Sequence, residues 1–264
     1  MIFLREWKHK LFCSETILPV CLAFAILGLS GCVHLSADKP PGPWNEVYQP
    51  INDPESDAFV AQCLGRAISE FGDPVISVNK VLLRRSRKTA EARKYRLGED
   101  FSLTECVDST NGVFAIYLAV DPGHRNYFPL LAHECAHLLN PFIFDWYMEG
   151  FATVFSEQMC EETGREWGDW KRHFEKTRRE PYGLSYRMML ELKQAFPDEY
   201  PSIIRFTAEN GHGTGRRYID INAWLDTLPP GRCGEALDII SGYVDALRRK
   251  TSEQYQFNPP SEFL

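Results

Sequence analysis

Apolar residues along this chain fall into runs of different period, and each run predicts an element. The first, Ile17 to Leu29, is continuous. It is too short for a comfortable membrane span, which needs about 20 residues. Asp53-Pro54 sets an N-cap residue before a proline at the first helical position and predicts a helix to about Phe71. Val75 to Leu83 is rich in β-branched residues and predicts a strand. Lys88 to Glu99 is charged and predicts a peripheral segment. Gly112 to Val120 is the strongest strand pattern, closed by the turn Asp121-Pro122-Gly123. A helix follows, with Phe128, Leu130, Leu131, Leu138 and Leu139 as its buried positions and Asn140-Pro141 as its stop. After Cys160 the pattern predicts helices over 162–179, 184–196, 201–210 and 234–249, separated by Gly and Pro breaks. There are no internal repeats. The expected class is α+β: a small mixed sheet with an edge strand, two central helices and a C-terminal helical lobe, over residues 51–264.

Charge narrows the classes of partner. The 264 residues carry a formal charge of −7, and phosphate binding needs clustered positive charge, so nucleic acid is not an expected partner. The run Arg84-Arg85-Ser86-Arg87-Lys88 is short and flanked by acids, and reads as a solvated turn. Arg5, Lys8 and Lys10 precede the first apolar run, as in a secretory signal spanning 1–31. That run ends in Leu29-Ser30-Gly31-Cys32, which resembles the bacterial lipobox. The resemblance implies a lipid on Cys32, stable anchoring by two chains and a bacterial envelope location. Val33 in place of an aspartate points to the outer membrane, facing the periplasm, in a Gram-negative source. Residues 32–50, with Lys39-Pro40-Pro41-Gly42-Pro43, then form a stiff tether. An exported chain meets an oxidising compartment. Five further cysteines remain: Cys63, Cys106, Cys135, Cys160 and Cys233. Cys135 is the expected unpaired one, because a bridge would distort the helix that carries it. Of the three connectivities open to the others, Cys63–Cys106 with Cys160–Cys233 is preferred. No CxxC is present, so a thiolate zinc site is not expected.

That helix carries the chemistry: His133-Glu134-Cys135-Ala136-His137. Two histidines at i and i+4 share one helix face and can bind one metal ion, with the glutamate between them near the open coordination position. A catalytic zinc needs a third protein ligand. The continuation HExxHxxGxxH is absent, since Asn140 and Ile143 stand where its glycine and third histidine would be. Downstream comes Asp145-Trp146-Tyr147-Met148-Glu149-Gly150-Phe151-Ala152-Thr153.

HExxH followed by a short connection and W-x-x-E-G-F-A resembles the gluzincin metallopeptidases over roughly residues 112–160. The resemblance implies a zincin-like fold, one Zn2+ held by His133, His137 and Glu149, and Glu134 as the general base that draws a proton from a zinc-bound water. It implies that the strand over 112–120 edges the cleft and pairs with a peptide or protein substrate. It also implies an oxyanion-stabilising residue from the helical lobe. Tyr186 is the residue chosen for that role, ahead of Tyr182, His212 and Tyr218. The gap before Glu149 is shorter than in the aminopeptidase branch, and no G-x-M-E-N lies upstream. Both point to an endopeptidase. Glu157, eight residues after Glu149 on the same face, is either a hydrogen-bond acceptor for a ligand histidine or a surface carboxylate. Asp145 is a weaker candidate for the same supporting role. The alternative to an enzyme is a lipid-anchored binding or assembly factor that keeps the metal site for shape.

Overall fold

Asp53 opens the first helix. In the computed structural model, which describes residues 48–86, 102–177, 180–209, 215–251 and 256–263, its carboxylate accepts the Ser56 N–H at 3.1 Å and Pro54 takes the first helical position. The cap satisfies an amide that has no partner inside the helix. Helix α1 runs Pro54–Phe71 and buries Phe59, Val60, Cys63, Ala67 and Phe71. The signal-like run, Cys32, most of the tether, the 88–99 segment and His212 lie outside the described residues.

Strands β1 (Tyr48–Pro50), β2 (Lys80–Ser86), β3 (Leu103–Asp108) and β4 (Val113–Leu118) form a mixed sheet in the order β1-β2-β4-β3. β2 and β4 are parallel, from Lys80 opposite Val113 to Arg85 opposite Leu118. β1 and β3 join antiparallel on the two sides.

Three expectations change here. The strand expected from Val75 begins at Lys80. Before it, the Val75 amide bonds the Leu139 carbonyl and the Asn79 amide bonds Gly112, both at 2.9 Å. Gly112 has a φ of +63°, and a Cβ there would sit 2.1 Å from the Ser77 carbonyl oxygen, so only glycine fits. Second, the strand over 113–118 is not at the edge. It lies between β2 and β3 and is buried along its whole length, as an inner strand with two apolar faces should be. Among the described residues the edges are β1 and β3; β3 is partly exposed, and its register shifts at a bulge between Cys106 and Asp108. Third, Arg84 and Arg85 belong to β2 rather than to a turn. Arg84 is buried opposite Tyr117, and Arg85 pairs with Asp121.

Phe114, Ile116 and Leu118 turn one face of the sheet to the main core, while Ala115 and Tyr117 pack with Tyr48 on the other. On the core side lie α2 (Tyr127–Ala136), then α3 (Trp146–Glu162), then α5 (Pro181–Ala195), then α7 (Cys233–Arg248), each packed on the one before. α4 (Gly168–Lys176) lies against α5. Gly150 makes the α3–α5 contact close: a Cβ there would come within 2.3 Å of the Ser185 carbonyl oxygen. The helix expected over 201–210 is a 3-10 turn, Tyr200–Arg205, followed by β5 (Thr207–Glu209), which pairs with β6 (Arg217–Ile219). The β-branched residues Ile203, Ile204 and Thr207 disfavour continued helix. A short helix, α6 (Ile221–Leu225), follows β6.

The five described cysteines are all free. The preferred pairs do not form. Instead the Cys63 thiol of α1 is a hydrogen-bonding neighbour of Cys135 in α2.

Candidate metal centre

The last turn of α2 carries His133 and ends at His137. Their ring centroids are 5.2 Å apart, and the two Nε2 atoms point at one region, 3.4 Å from each other. α3 starts at the same place because Asp145 caps it. The Asp145 carboxylate accepts the Met148 amide at 2.7 Å, and its second oxygen accepts the Ile219 amide of β6. Asp145 is thus a buried cap that fixes where α3 begins, and burial pushes its carboxyl up to about 7.

One turn in, Glu149 faces the histidines. Its Oε2 lies 3.2 Å from His133 Nε2, and its Oε1 lies 3.8 Å from His137 Nε2. The three donors are all within 4.8 Å of one another. Tetrahedral coordination at about 2.0–2.1 Å separates neighbouring donors by roughly 3.3 Å; the His133–His137 Nε2 separation of 3.4 Å and the His133 Nε2–Glu149 Oε2 separation of 3.2 Å are close to it, while His137 is nearest the other Glu149 oxygen, at 3.8 Å. His133, His137 and Glu149 therefore make a buried group that could hold a metal ion.

Thr153 supports this group, where the sequence offered Glu157. Thr153 Oγ1 donates to the Glu149 carbonyl at 2.7 Å and lies 3.3 Å from His133 Nδ1. With its own proton committed, the hydroxyl can accept from Nδ1–H, which leaves Nε2 as the atom that could bind a metal ion. Glu157 lies two turns beyond Glu149 on α3, is buried, and accepts a 2.6 Å hydrogen bond from Tyr186. Tyr186 stands in an aromatic layer with Trp167 and Phe174. Tyr182 packs edge-on to Trp146, and Tyr218 lies in β6 opposite Ala208. The Trp170 ring of α4 approaches His133, with centroids 6.3 Å apart.

Glu134 follows His133 directly in α2 and is 4 % exposed. The Thr104 hydroxyl of β3 lies 2.9 Å from its Oε2 and 2.8 Å from its backbone carbonyl. Burial lifts the Glu134 carboxyl to about 7, against the opposing pull of His133 and Thr104. Burial also drives His137 down to about 4. For His133 burial acts downward, but the hydrogen bond and charge of Glu149 outweigh it and the ring is raised. Glu149 is the counterpart: burial would raise it, and the two histidines hold it below the usual carboxylate range.

Comparison of the whole chain with protein-family models, curated proteins and solved structures finds no match.

Proposed function

We propose that this protein is a zinc-dependent metallopeptidase of the gluzincin type, with a zincin-like fold, tethered to a bacterial envelope membrane by lipid on Cys32. The observation that carries the reading is the buried convergence of His133, His137 and Glu149, with donor atoms within 4.8 Å of one another and Glu134 next to His133 in its helix. Zinc is the choice among divalent ions because two imidazoles and one carboxylate suit it. Bound there, it would supply Lewis acidity, lowering the pKa of water in its open position to about 7 and polarising a carbonyl.

The chain's own residues supply the rest. Glu134 is already poised near neutral pH, so it can take the proton of the attacking water and return it to the leaving amine. Burial of the group keeps bulk water from competing for that proton. β3 ends the described sheet, and its outer backbone edge suits an extended peptide held by main-chain hydrogen bonds. Tyr186 would have to reach the cleft from its bond to Glu157 to act on an oxyanion.

Metal analysis and cleavage of a peptide library test the reading together. Wild type is expected to carry about one zinc and to cut. Glu134→Gln should keep the zinc and lose roughly 10²–10⁴-fold in rate, and Glu149→Ala should lose the zinc. Equal rates in wild type, Glu134→Gln and chelator-treated protein would sink the enzyme. Full zinc with no peptide cut would favour the binding or assembly factor. Fatty-acid labelling that persists in Cys32→Ser would remove the proposed anchor.

A further inference from the structure

Thr104 lies outside every motif, yet its hydroxyl is the contact between the edge strand and the helix that bears Glu134. In register it stands opposite Ile116, on the core face of β3. Its single hydroxyl meets two oxygens of one residue, Glu134 Oε2 at 2.9 Å and the Glu134 carbonyl at 2.8 Å. That carbonyl is open to it because α2 tightens at its end: the Leu138 amide, which would ordinarily serve it, bonds Cys135 O at 3.1 Å. One side chain thus meets the backbone and the side chain of the same glutamate. The pair of contacts fixes the depth of the helix end against β3 and the direction in which the carboxyl points.

We propose that Thr104 is a positioning residue for Glu134, holding its carboxyl towards the open position of the metal centre; this rests on the metallopeptidase reading. The hydroxyl touches neither a ligand atom nor the substrate. Its loss should leave metal content unchanged while removing the contact that aims the base. A peptide that pairs with β3 would lie along the same strand that aims Glu134, so the substrate and the base would share one reference frame.

The test uses Co2+-loaded protein titrated with acetohydroxamate, followed by the visible spectrum. This small chelating acid gives up a proton when it binds the metal, and a nearby carboxylate that takes it strengthens the binding, so its affinity reports the placement of Glu134 without turnover. Thr104→Val removes the hydroxyl at constant shape and suits a strand; Thr104→Ser keeps the hydroxyl. Thr104→Val should bind Co2+ as wild type does, melt somewhat lower because the Glu134 carbonyl loses its partner, and bind acetohydroxamate about 10-fold more weakly, in the range expected for removing an oriented supporting contact. Thr104→Ser should stay within about threefold of wild type, a rescue that mere packing would not produce. Wild-type affinity in Thr104→Val, with loss in Glu134→Gln, overturns the positioning role alone. Wild-type affinity in Glu134→Gln itself overturns the reading beneath it and the proposal with it. Should Thr104→Val fail to fold, the ratio of Thr104→Ala to Thr104→Ser decides, and equal affinities in those two overturn the proposal.

Discussion

His133 is pulled two ways by its surroundings. Burial favours the neutral ring, and the Glu149 carboxylate at 3.2 Å favours the charged one and prevails. The two residues are thus a buried pair in which each favours the charged form of the other. Such a pair is weak evidence for stability, because desolvation offsets much of the attraction; its geometry is what suits a cation. Glu134, lifted to about 7, is set apart from Glu149, held low, although both are buried carboxylates on adjoining helices. The difference is the partner: Glu149 has two imidazoles, while Glu134 has a hydroxyl and a histidine charge that do not overcome burial. That split is the one the proposed ligand and base would need. The convergence of His133 and His137 was legible because i, i+4 spacing puts both on one helix face; Glu149, on another helix, and the place of Glu134 were reached through the resemblance to the gluzincins. Thr153 was within reach of the same rule, four residues after Glu149, but a longer carboxylate at Glu157 drew the reading. Thr104 had no signal at all, because a strand thirty residues away delivers it.

Among the elements, α3 is the one on which both the site and the packing depend. Its N-terminus is set by Asp145 and its back by Gly150, whose missing Cβ lets the Ser185 carbonyl and the Met189 side chain close in. Gly150→Ala would put a carbon 2.3 Å from that carbonyl, so α5 must move away. Overpacking of this kind costs about 1–3 kcal/mol, against a helix-propensity gain of up to about 1 kcal/mol. The expected result is a melting temperature lower by roughly 3–6 °C, at about 2–4 °C per kcal/mol for this size. Zinc affinity should also weaken, because Glu149 is the adjoining residue. Thermal unfolding and zinc titration of the variant check this; an unchanged melting temperature would mean that α5 does not press on α3. The glycine in the motif was visible in the sequence, but the helix it accommodates was not. Elements with strong local signals came through: the cap at Asp53 and the helix over 234–249; α2, expected to run to Asn140-Pro141, already ends at Ala136. Pairing order did not, since the edge position of β3 depends on which strands meet across a long separation, and its alternating Leu-Thr-Glu-Cys-Val-Asp carries only a modest pattern.

For the molecule as a whole, the metal group lies at the joint between the sheet-side helix α2 and the lobe-side helix α3. A metal bound there would staple the two sides together, and two different staples serve at different pH. The His133–Glu149 ion pair needs the histidine proton. Its raised folded pKa means that this contribution is fully present below the ordinary value near 6.5 and is lost as pH rises through the folded value. Zinc needs the opposite state, with the His133 proton displaced, whereas His137, held near 4, is already free to bind. Zinc in hundredfold excess over its dissociation constant stabilises by about 2.7 kcal/mol, or roughly 5–10 °C of melting temperature. Each pH unit below the His133 value should weaken zinc binding up to tenfold, which at the same zinc concentration leaves a gain of about 1.4 kcal/mol. Melting curves with and without zinc should therefore converge as pH falls from 8 towards 6, and the gain should vanish at every pH in Glu149→Ala. A zinc-induced gain equal at pH 8 and pH 6 would show that no proton leaves His133, and one that survives in Glu149→Ala would place the ion elsewhere.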